Sequence, residues 1–308
     1  MKLSIVSTSY QSKDTIERFI ERIHVATNSL GIQYEIILVD DGSNDESKEI
    51  IKSLIPRHQN MKLIELSRNF GHHKAIMLGL EHAQGEYVFL IDSDLEEDPE
   101  LVIEFFQRIA ASNDDVIYGI SENNGTNWLQ KVISRTFWRL FRRYTKLSIP
   151  RGLCTVRIMK RNYVQALLLH KEVNVFLAGL WEITGFVQTP TIVNKTYKGS
   201  TEYTFARKFE LALSSLISFS GRPLRLIALF GASVVFIALF MLFALVSRQL
   251  ISGNAPEGWL SIITAITLFS GIQILSIGLV AIYVASILEE VKARPRTVIA
   301  KIWNKDSI

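Results

Sequence analysis

Two long stretches without charged residues constrain the fold of this chain more than any other feature. Residues 226–247 and 259–288 contain no Asp, Glu, Lys or Arg. As a helix rising 1.5 Å per residue, the first stretch spans about 33 Å, enough to cross a hydrocarbon core of about 30 Å, whereas the second must tilt or extend into the interface. Buried core helices are the alternative. We therefore predict a transmembrane hairpin with helices at 225–248 and 259–288.

The charges around these stretches predict an orientation. Basic residues flank both outer ends, and the connecting loop carries one basic and one acidic residue. The outer positions are Arg222, Arg225, Lys292, Arg294, Arg296 and Lys301, and the loop holds Arg248 and Glu257. By the positive-inside rule, the large N-terminal part and both outer flanks are expected on the cytoplasmic side. The single cysteine, Cys154, agrees with a reducing compartment.

A hydrophobic run that ends in two carboxylates predicts the centre of a sheet and its site. Tyr87–Ile91 is apolar or aromatic and leads directly into Asp92-Ser93-Asp94. Such a run is typical of a strand covered on both faces, and open α/β sheets bind ligands at the carboxyl ends of their strands. Two carboxylates this close repel each other unless a cation lies with them, and their hard oxygens suit Mg²⁺ or Mn²⁺. Because an Asp-x-Asp pair also occurs as a helix cap, the pair alone does not establish a metal site.

Strands and helices alternate through the first hundred residues. The expected strands are 3–8, 35–39, 61–66 and 87–91, and the third helix covers 72–83. Ser43 with Glu46 reads as a capping box for the second helix, and Asp98 before Pro99 reads as the cap of the fourth. The alternation predicts βαβ units in an α/β, Rossmann-like and mostly parallel sheet.

Four polar clusters follow successive strands in this register. They are Thr8-Ser9-Tyr10, Asp40-Asp41, Arg68 and Asp92-Ser93-Asp94. In a parallel sheet these ends share one edge, which predicts a crevice for a nucleotide diphosphate. Asp40 or Asp41 would accept hydrogen bonds from the base or ribose, and Arg68 would lie near the phosphates. Each cluster alone also has a structural explanation, as a turn, a solvated charge or a packing residue. Neither a P-loop nor a Gly-x-Gly-x-x-Gly fingerprint is present.

Three motifs, followed by the two apolar stretches, resemble the membrane-anchored inverting glycosyltransferases of family 2. The motifs are Asp40-Asp41-Gly42-Ser43, Ser67-Arg68-Asn69-Phe70-Gly71 and Asp92-Ser93-Asp94-Leu95-Glu96. The pattern is similar to that of the polyprenyl-phosphate sugar synthases, the group that includes dolichol-phosphate mannose synthases. This resemblance implies a GT-A fold, a nucleotide-sugar donor bound by residues including Thr8, Tyr10 and Ser93, a polyprenyl phosphate acceptor, and a location in a bacterial inner membrane. It also implies catalytic Asp92 and Asp94, which with Glu96 would hold Mg²⁺ or Mn²⁺.

The chain departs from the family pattern at three places. Thr8–Ser12 replaces a Pro-x-Tyr-Asn-Glu opening, and Ser121 stands where an Arg is usual. The family's Asp-Phe-Arg-Leu-Met stretch appears as Thr155–Met159, which keeps Arg157 and loses the Asp. Arginine's fork matches phosphate oxygens, so Arg157, Arg151 and Arg161 are candidates to hold the acceptor phosphate. A solvated loop arginine is the alternative for Arg151 and Arg161.

A basic and aromatic segment at 126–146 is expected to lie on the membrane surface. It interleaves Trp and Phe with six Lys and Arg residues, among them Arg135, a further candidate for the acceptor phosphate. An ordinary surface helix is the alternative, and a nucleic-acid-binding arm fits less well with two spans. The expected organisation is a cytosolic GT-A domain at 1–205, a juxtamembrane amphipathic helix at 206–224, the hairpin, and a basic cytosolic tail at 289–308.

The predicted reaction is one inverting displacement at the anomeric carbon of the sugar. A lipid phosphate is already ionised near neutral pH, so it needs no general base. Direct transfer to the hydroxyl of a lipid-linked saccharide is an alternative, and it would need Glu97 or Asp98 as the base. A membrane-tethered protein that binds nucleotide sugar without turnover is a second alternative. A homo-oligomer is compatible with the sequence, and no nucleic acid is expected as a partner.

Overall fold

The computed structural model of the chain describes residues 2–58, 60–121, 147–150, 152–196 and 258–305, together with isolated helical residues between 224 and 247. The strands are β1 Leu3–Ser9, β2 Tyr34–Asp40, β3 Met61–Leu66, β4 Tyr87–Leu90, β5 Val116–Ile120, β6 Leu153–Lys160, β7 Gln188–Ile192 and β8 Ile299–Trp303. The helices are α1 Ile16–Asn28, α2 Ser47–Leu54, α3 His72–His82, α4 Leu101–Ala111, α5 Arg161–Leu167, α6 Leu177–Ile183 and α7 Trp259–Lys292.

All eight of these strands belong to one sheet, in the order β7-β5-β6-β4-β1-β2-β3-β8. The first four strands along the chain pair in parallel, as the βαβ alternation predicts, and β5 pairs in parallel with β7. The strand β6 is antiparallel to both β4 and β5, and β8 is antiparallel to β3. The sheet is therefore mixed, because β6 runs back between two strands of the opposite direction.

The hydrophobic core lies on both faces of the parallel part of this sheet. Every residue of β1 and β2 is buried, including the Ser and Thr residues of β1 and Glu35 of β2. On one face α1 contributes Ile16, Phe19, Ile20 and Ile23, whose helical spacing puts them on a single buried stripe. On the opposite face α3 packs against β1 and β2. Each fully buried side chain of this size contributes about 1.5–3 kcal/mol, so these layers fix the strand ends firmly.

The two predicted helix caps are wrong. The helix α2 starts four residues after Ser43, and the Ser43 hydroxyl donates to Asp40 Oδ2 at 2.5 Å. The helix α4 starts at Leu101, and the Asp98 carboxylate accepts a hydrogen bond from Arg22 Nη2 at 2.9 Å. The Ser43 hydroxyl oxygen also accepts a hydrogen bond from the Gln11 backbone N–H at 3.0 Å, so in both places a residue distant in the chain contacts the side chain that the local pattern assigns to a cap.

The C-terminal residues differ most from the expected basic tail at 289–308. Residues 299–303 form the edge strand β8, and Trp303 Nε1 donates to Glu65 Oε2 on β3 at 3.0 Å. Lys48 and Lys52 also pair with Glu65, and the Lys52 ammonium lies 4.5 Å from the Trp303 ring centre. The five residues Ile299–Trp303 have no apolar–polar alternation, and they form a strand by pairing with the edge of β3.

The contacts separate the described residues between 203 and 293 from this sheet domain as a second unit. Its helix α7 covers the second predicted span, 259–288, and continues to Lys292. Within the described residues, the stretch Phe269–Lys292 is the one helix long and apolar enough to cross a membrane, with a mean hydropathy of 2.2. Most of the first predicted span, the juxtamembrane segment and residues 126–146 lie outside the described residues.

Candidate active site

The carboxyl ends of β4, β1, β2 and β3 lie side by side, because these strands are parallel neighbours. The predicted clusters therefore meet along one edge of the sheet. Thr8 and Ser9 end β1, Asp40 ends β2, and Asp92 follows β4 by two residues. The sequence brings the polar residues to this edge because each apolar run stops where its strand leaves the core.

A histidine links Asp92 to the end of β1. His72, the first residue of α3, has Nε2 3.3 Å from Asp92 Oδ1 and Nδ1 3.0 Å from Thr8 Oγ1. Although Asp92 Oδ1 is buried, it has no partner of good hydrogen-bond geometry, the His72 contact included. Ser93 is buried and donates its hydroxyl to the Thr8 backbone carbonyl at 2.7 Å. The Ser93 hydroxyl thus links the loop after β4 to β1. This contact is structural, so the hydroxyl hydrogen is not available to the nucleotide-sugar donor.

The other two predicted metal ligands differ from each other. Asp94 is exposed at the mouth of the crevice, and its Oδ1 accepts a hydrogen bond from the Glu96 backbone N–H at 2.9 Å. Desolvation by the surrounding protein, with repulsion from Asp92 and Glu96, raises the pKa of Asp94. Glu96 instead forms an ion pair with Lys195, with 2.9 Å between Oε2 and Nζ. Lys195 therefore neutralises part of the acidic cluster.

The two carboxylates after β2 hold loops together. Asp40 accepts hydrogen bonds from the backbone N–H and the hydroxyl of Ser43. Asp41 accepts from the backbone N–H groups of Phe70 and Gly71 at 2.7 and 2.9 Å. Burial raises the pKa of both groups. Each of the four oxygens already has a donor, so any contact with a nucleotide would use their remaining lone pairs.

The two remaining residues that were predicted to bind the nucleotide sugar have side chains exposed to solvent. Tyr10 is 45% exposed. Arg68 is also exposed, and its guanidinium carbon lies 4.6 Å from the centre of the Phe70 ring. Both follow strand ends at the same edge as Asp92, so they are available to a ligand that enters from solvent.

Glu97 is a buried carboxylate that directly follows the acidic cluster in the chain. It is 1% exposed, and neither oxygen has a hydrogen-bond partner of good geometry, although the Cys154 thiol lies close by. Desolvation, together with repulsion from Asp92 and Asp94, raises the pKa of Glu97 to about 7. The same burial raises the pKa of Cys154 to about 12, so that thiol stays protonated at neutral pH.

A cleft of about 390 Å³ opens beside His72. Its wall is formed by the start of α3, the segment before and within β6, and the start of α6, with His72, His73, Ile149, Thr155, Phe176 and Trp181 among the lining residues. Leu90 on β4 pairs with Arg157 on antiparallel β6, and Thr155, two residues before Arg157, lines the same cleft as His72. Thr155 and Arg157 share one face of the sheet, since side chains alternate along a strand.

Arg157 lies in the wall of a second, neighbouring cleft of about 360 Å³. Its guanidinium is almost fully buried, and its carbon lies 3.0 Å from the ring centre of Trp181. Desolvation lowers the pKa of Arg157 to about 9. The two clefts share Trp181 and three small or apolar residues, Pro150, Leu153 and Ala178. Of the other predicted acceptor residues, Arg151 and Arg135 lie outside the described residues.

The residues present are compatible with a divalent cation at Asp92 and Asp94. The buried Asp92 Oδ1 without a good partner is the kind of oxygen that a cation would complete. Across the described residues, no three His, Cys, Asp or Glu side chains are grouped to hold a metal by themselves. Mg²⁺ and Mn²⁺ sites of this class take their remaining ligands from substrate phosphates and water, which two carboxylates allow.

Three residues of this site are missed by reading the sequence. His72 could have been found, since it directly follows the Ser67–Gly71 motif at the start of a helix. Lys195 and Trp181 carry no local signal. Their positions depend on β6, β7 and α6, which bring residues about a hundred positions later in the chain back to the Asp92 loop.

Comparison with known proteins identifies the family. Residues 4–168 match the model of Glycosyl transferase family 2. A glycosyltransferase relative from Mycobacterium tuberculosis is 40% identical over 306 residues, covering 99% of this chain and 90% of that protein. The uncharacterized glycosyltransferases sll0501 of Synechocystis and YkcC of Bacillus subtilis are each 30% identical, covering 98% of this chain and 96% and 94% of those proteins.

A solved structure agrees with the fold. Glucosyl-3-phosphoglycerate synthase from Mycobacterium tuberculosis, in complex with Mn²⁺ and UDP-glucose, superposes with a TM-score of 0.51 at 17% identity, covering 71% of this chain and 79% of that one. The mixed sheet is therefore that of the GT-A fold, as the motif resemblance implies. The chain belongs to glycosyl transferase family 2 and is an enzyme of the transferase class, which uses a nucleotide sugar.

Proposed function

We propose that this enzyme transfers a sugar from a nucleotide diphosphate to a polyprenyl phosphate at the cytoplasmic face of a bacterial membrane, with inversion at the anomeric carbon. The observation that carries the proposal is the cleft beside His72 and Asp92, whose neighbour is lined by the buried cation of Arg157. A cleft that combines apolar walls with a buried cation suits an acceptor with a phosphate head and a hydrocarbon chain.

The donor would lie over the strand ends, with its diphosphate towards Asp92 and Asp94. A divalent cation at this pair, Mg²⁺ or Mn²⁺, would neutralise the diphosphate as it leaves, and the Mn²⁺ and UDP-glucose bound by the solved relative support this assignment. His72 holds Asp92 and Thr8 in place, while Lys195 offsets the charge of Glu96. Exposed Arg68 and Tyr10 are free to contact the incoming nucleotide.

The residue at position 155 favours a phosphate as the acceptor. Thr155 lines the cleft beside His72, and a threonine hydroxyl cannot serve as a general base near neutral pH. A phosphate monoester needs none, because its oxygens are already ionised. Arg157 is the candidate to bind it, since a guanidinium matches phosphate oxygens in pairs.

A saccharide hydroxyl is the second candidate acceptor, and one observation favours it. A hydroxyl acceptor needs a base poised near neutral pH, and the pKa of Glu97 at about 7 meets that requirement. The Glu97 carboxylate is, however, fully buried, so it would have to become exposed in the complex.

The strand β8 supports the membrane hairpin. Residues before α1 and residues after α7 belong to one sheet, so the chain must leave this domain and return to the same side of a membrane. Between these points any membrane is crossed an even number of times. If α7 crosses once, a second crossing must lie between residues 197 and 258, where the uncharged run 226–247 is the segment long enough. The basic flanks then favour a cytoplasmic active site.

A direct assay tests the function. Membranes containing the protein are incubated with labelled nucleotide sugars, Mn²⁺ and undecaprenyl phosphate, and label is followed into the lipid extract. We expect one nucleotide sugar to label a sugar-phospholipid whose formation needs added undecaprenyl phosphate. Label that appears only in a longer lipid-linked saccharide, and is lost in Glu97→Gln, would favour the second candidate instead.

Asp94→Asn should reduce transfer at least about 100-fold, because a neutral amide cannot balance a cation that bridges to a diphosphate. Mn²⁺ titration followed by electron paramagnetic resonance should show weaker binding by the variant. Asp114→Asn provides a matched control, since Asp114 accepts from Thr189 at the far edge of the sheet. Wild-type turnover and Mn²⁺ affinity in Asp94→Asn would refute the metal assignment.

A further inference from the structure

The wall between the two clefts contains a buried cation with few partners. The Arg157 side chain donates from Nε to the Thr155 carbonyl at 3.2 Å and from Nη2 to the Cys154 carbonyl at 3.1 Å. A guanidinium has five N–H donors, so most of its capacity remains unused. None of the ion pairs in the described part of the chain involves Arg157, although a buried charge normally has a counter-ion.

Trp181 covers this cation and has an unused donor of its own. The indole is 7% exposed, and its Nε1–H is buried without an acceptor. Its backbone carbonyl accepts hydrogen bonds from Tyr163 Oη at 3.2 Å and Gln188 Nε2 at 2.6 Å, which hold this end of α6 in place. The side chain is therefore mounted on a fixed backbone and lines both clefts.

A buried indole N–H without an acceptor, in contact with a cation that has no ion pair in the described residues, points to a missing acceptor. Buried donors are nearly always paired, and this arrangement at the edge of a cleft is best explained by a ligand that supplies the oxygens. A phosphate has several anionic oxygens that can meet a guanidinium and an indole N–H together, whereas an alcohol has one neutral oxygen. The lining also includes the exposed carboxylate of Glu182, so the anion belongs at the Arg157 end.

We propose that Trp181 is a recognition and positioning residue for the phosphate head of the acceptor. The Trp181 ring packs against the Arg157 guanidinium and shields it from water. A small rotation of the indole would bring Nε1–H into the cleft as a second hydrogen-bond donor. This inference rests on the proposed function, because it takes the anion to be that of the acceptor. The donor diphosphate has the same chemistry, and the experiment separates the two sources.

The test compares two substitutions of Trp181 with the same change elsewhere. Trp181→Phe keeps an aromatic ring over Arg157 and removes the N–H, whereas Trp181→Leu removes both. Trp303→Phe is the matched control, since Trp303 also donates through Nε1 but lies on the edge strand β8. The probes are farnesyl phosphate, farnesol as its neutral analogue, and UDP with Mn²⁺, and binding to the full-length protein in detergent is measured by calorimetry.

We expect the dissociation constant for farnesyl phosphate to rise about 10-fold in Trp181→Phe, which loses one hydrogen bond to a charged group. We expect a rise of about 100-fold in Trp181→Leu, which also loses the ring over Arg157. Binding of UDP with Mn²⁺ should not change, and farnesol should bind weakly to all variants alike. In the transfer assay KM for the polyprenyl phosphate should rise while kcat stays near the wild-type value, a split that a merely structural residue would not produce.

The possible failures are distinct. If Trp181→Phe and Trp181→Leu bind farnesyl phosphate like the parent, Trp181 has no part in recognition and the inference is wrong. If UDP binding weakens instead, the anion is the donor diphosphate and the assignment to the acceptor is wrong. If the parent protein itself binds farnesyl phosphate no better than farnesol, the proposed function is contradicted, because the acceptor is then not a lipid phosphate. Trp181→Phe preserves most of the packing, so a melting curve like the parent's excludes misfolding as the cause.

Discussion

At the scale of single residues, the burial of Glu97 makes the free energy of unfolding depend on pH. Its carboxyl group is buried without a good partner beside two other carboxylates, which raises its pKa to about 7 from an ordinary 4.5. A raised pKa in the folded state means that folding binds a proton between these two values. Stability therefore falls as pH rises from about 4.5 to 7 and stays reduced above that range.

Glu97→Gln should remove this pH dependence, because glutamine has a similar shape and no charge to desolvate. Relative to the parent in EDTA, we expect the variant to gain up to about 3 kcal/mol between pH 4.5 and pH 8, at about 1.36 kcal/mol per pH unit. Melting temperatures of the full-length protein at both pH values provide the measurement. Glu100→Gln is the control in which the pH dependence of stability should change in the opposite direction, because the hydrogen bond from Arg22 lowers the pKa of Glu100. A difference between Glu97→Gln and parent that is equal at both pH values would contradict the prediction.

At the scale of elements, the loops after β2 and β3 are joined by close backbone contact. Gly42 has a φ of +73°, and a Cβ at this position would lie 2.4 Å from the Arg68 carbonyl carbon and 2.6 Å from the Asn69 nitrogen. The Asp41 carboxylate, which accepts from Phe70 and Gly71, holds the same two loops together. The position of Arg68 at the crevice thus depends on a residue without a side chain on the neighbouring loop.

Gly42→Ala should separate these loops, and Gly31→Ala shows how much of the effect is backbone strain alone. Gly31 has a φ of +62°, but a Cβ added there would meet no other atom within 4 Å. Both variants lose about 1 kcal/mol for the left-handed conformation, and Gly42→Ala should lose about 1–3 kcal/mol more because backbone atoms must move. Unfolding midpoints in denaturant measure the difference. Equal losses in both variants would mean that the loops are not tightly packed.

At the scale of the whole molecule, the sheet contains both ends of the described chain. The strand β8 follows the long helix α7 by six residues, so if α7 crosses a membrane as proposed, its C-terminal end lies on the same side as the catalytic domain. Exposed apolar side chains on α7, such as Ile274, Ile277 and Val291, have no cover in the described residues. A bilayer would remove this surface from water, which agrees with the proposed span.

The topology predicts that residues 249–258 face away from the cytoplasm. A cysteine at Asn254 should react with an impermeant thiol reagent added to intact cells, whereas one at Lys305 should react only after lysis. The native Cys154 should contribute little background in folded protein, because it is buried and burial raises its pKa to about 12. Labelling of the Lys305 cysteine, and not the Asn254 cysteine, in intact cells would reverse the proposed orientation.

The sequence alone determined the features that arise from local patterns. Short runs rich in apolar residues located β1, β2, β3 and β4, because a buried strand needs apolar residues on its covered faces, and the carboxylates that end two of these runs marked the edge of the site. The length of the uncharged stretch predicted a helix at 259–288, since crossing a hydrocarbon core requires about 20 apolar residues in a row, and the structure continues this helix to Lys292.

Only the tertiary structure decided which residues become partners across long separations in the chain. Lys195 neutralises Glu96, Trp181 covers Arg157, and His72 joins Thr8 to Asp92. It also turned the expected tail into β8, and it gave Ser43 and Asp98 other partners than their helices. Hydrophobic periodicity reports which face of a segment is buried, but a hydrogen bond or ion pair depends on distances that only the packing of distant segments fixes.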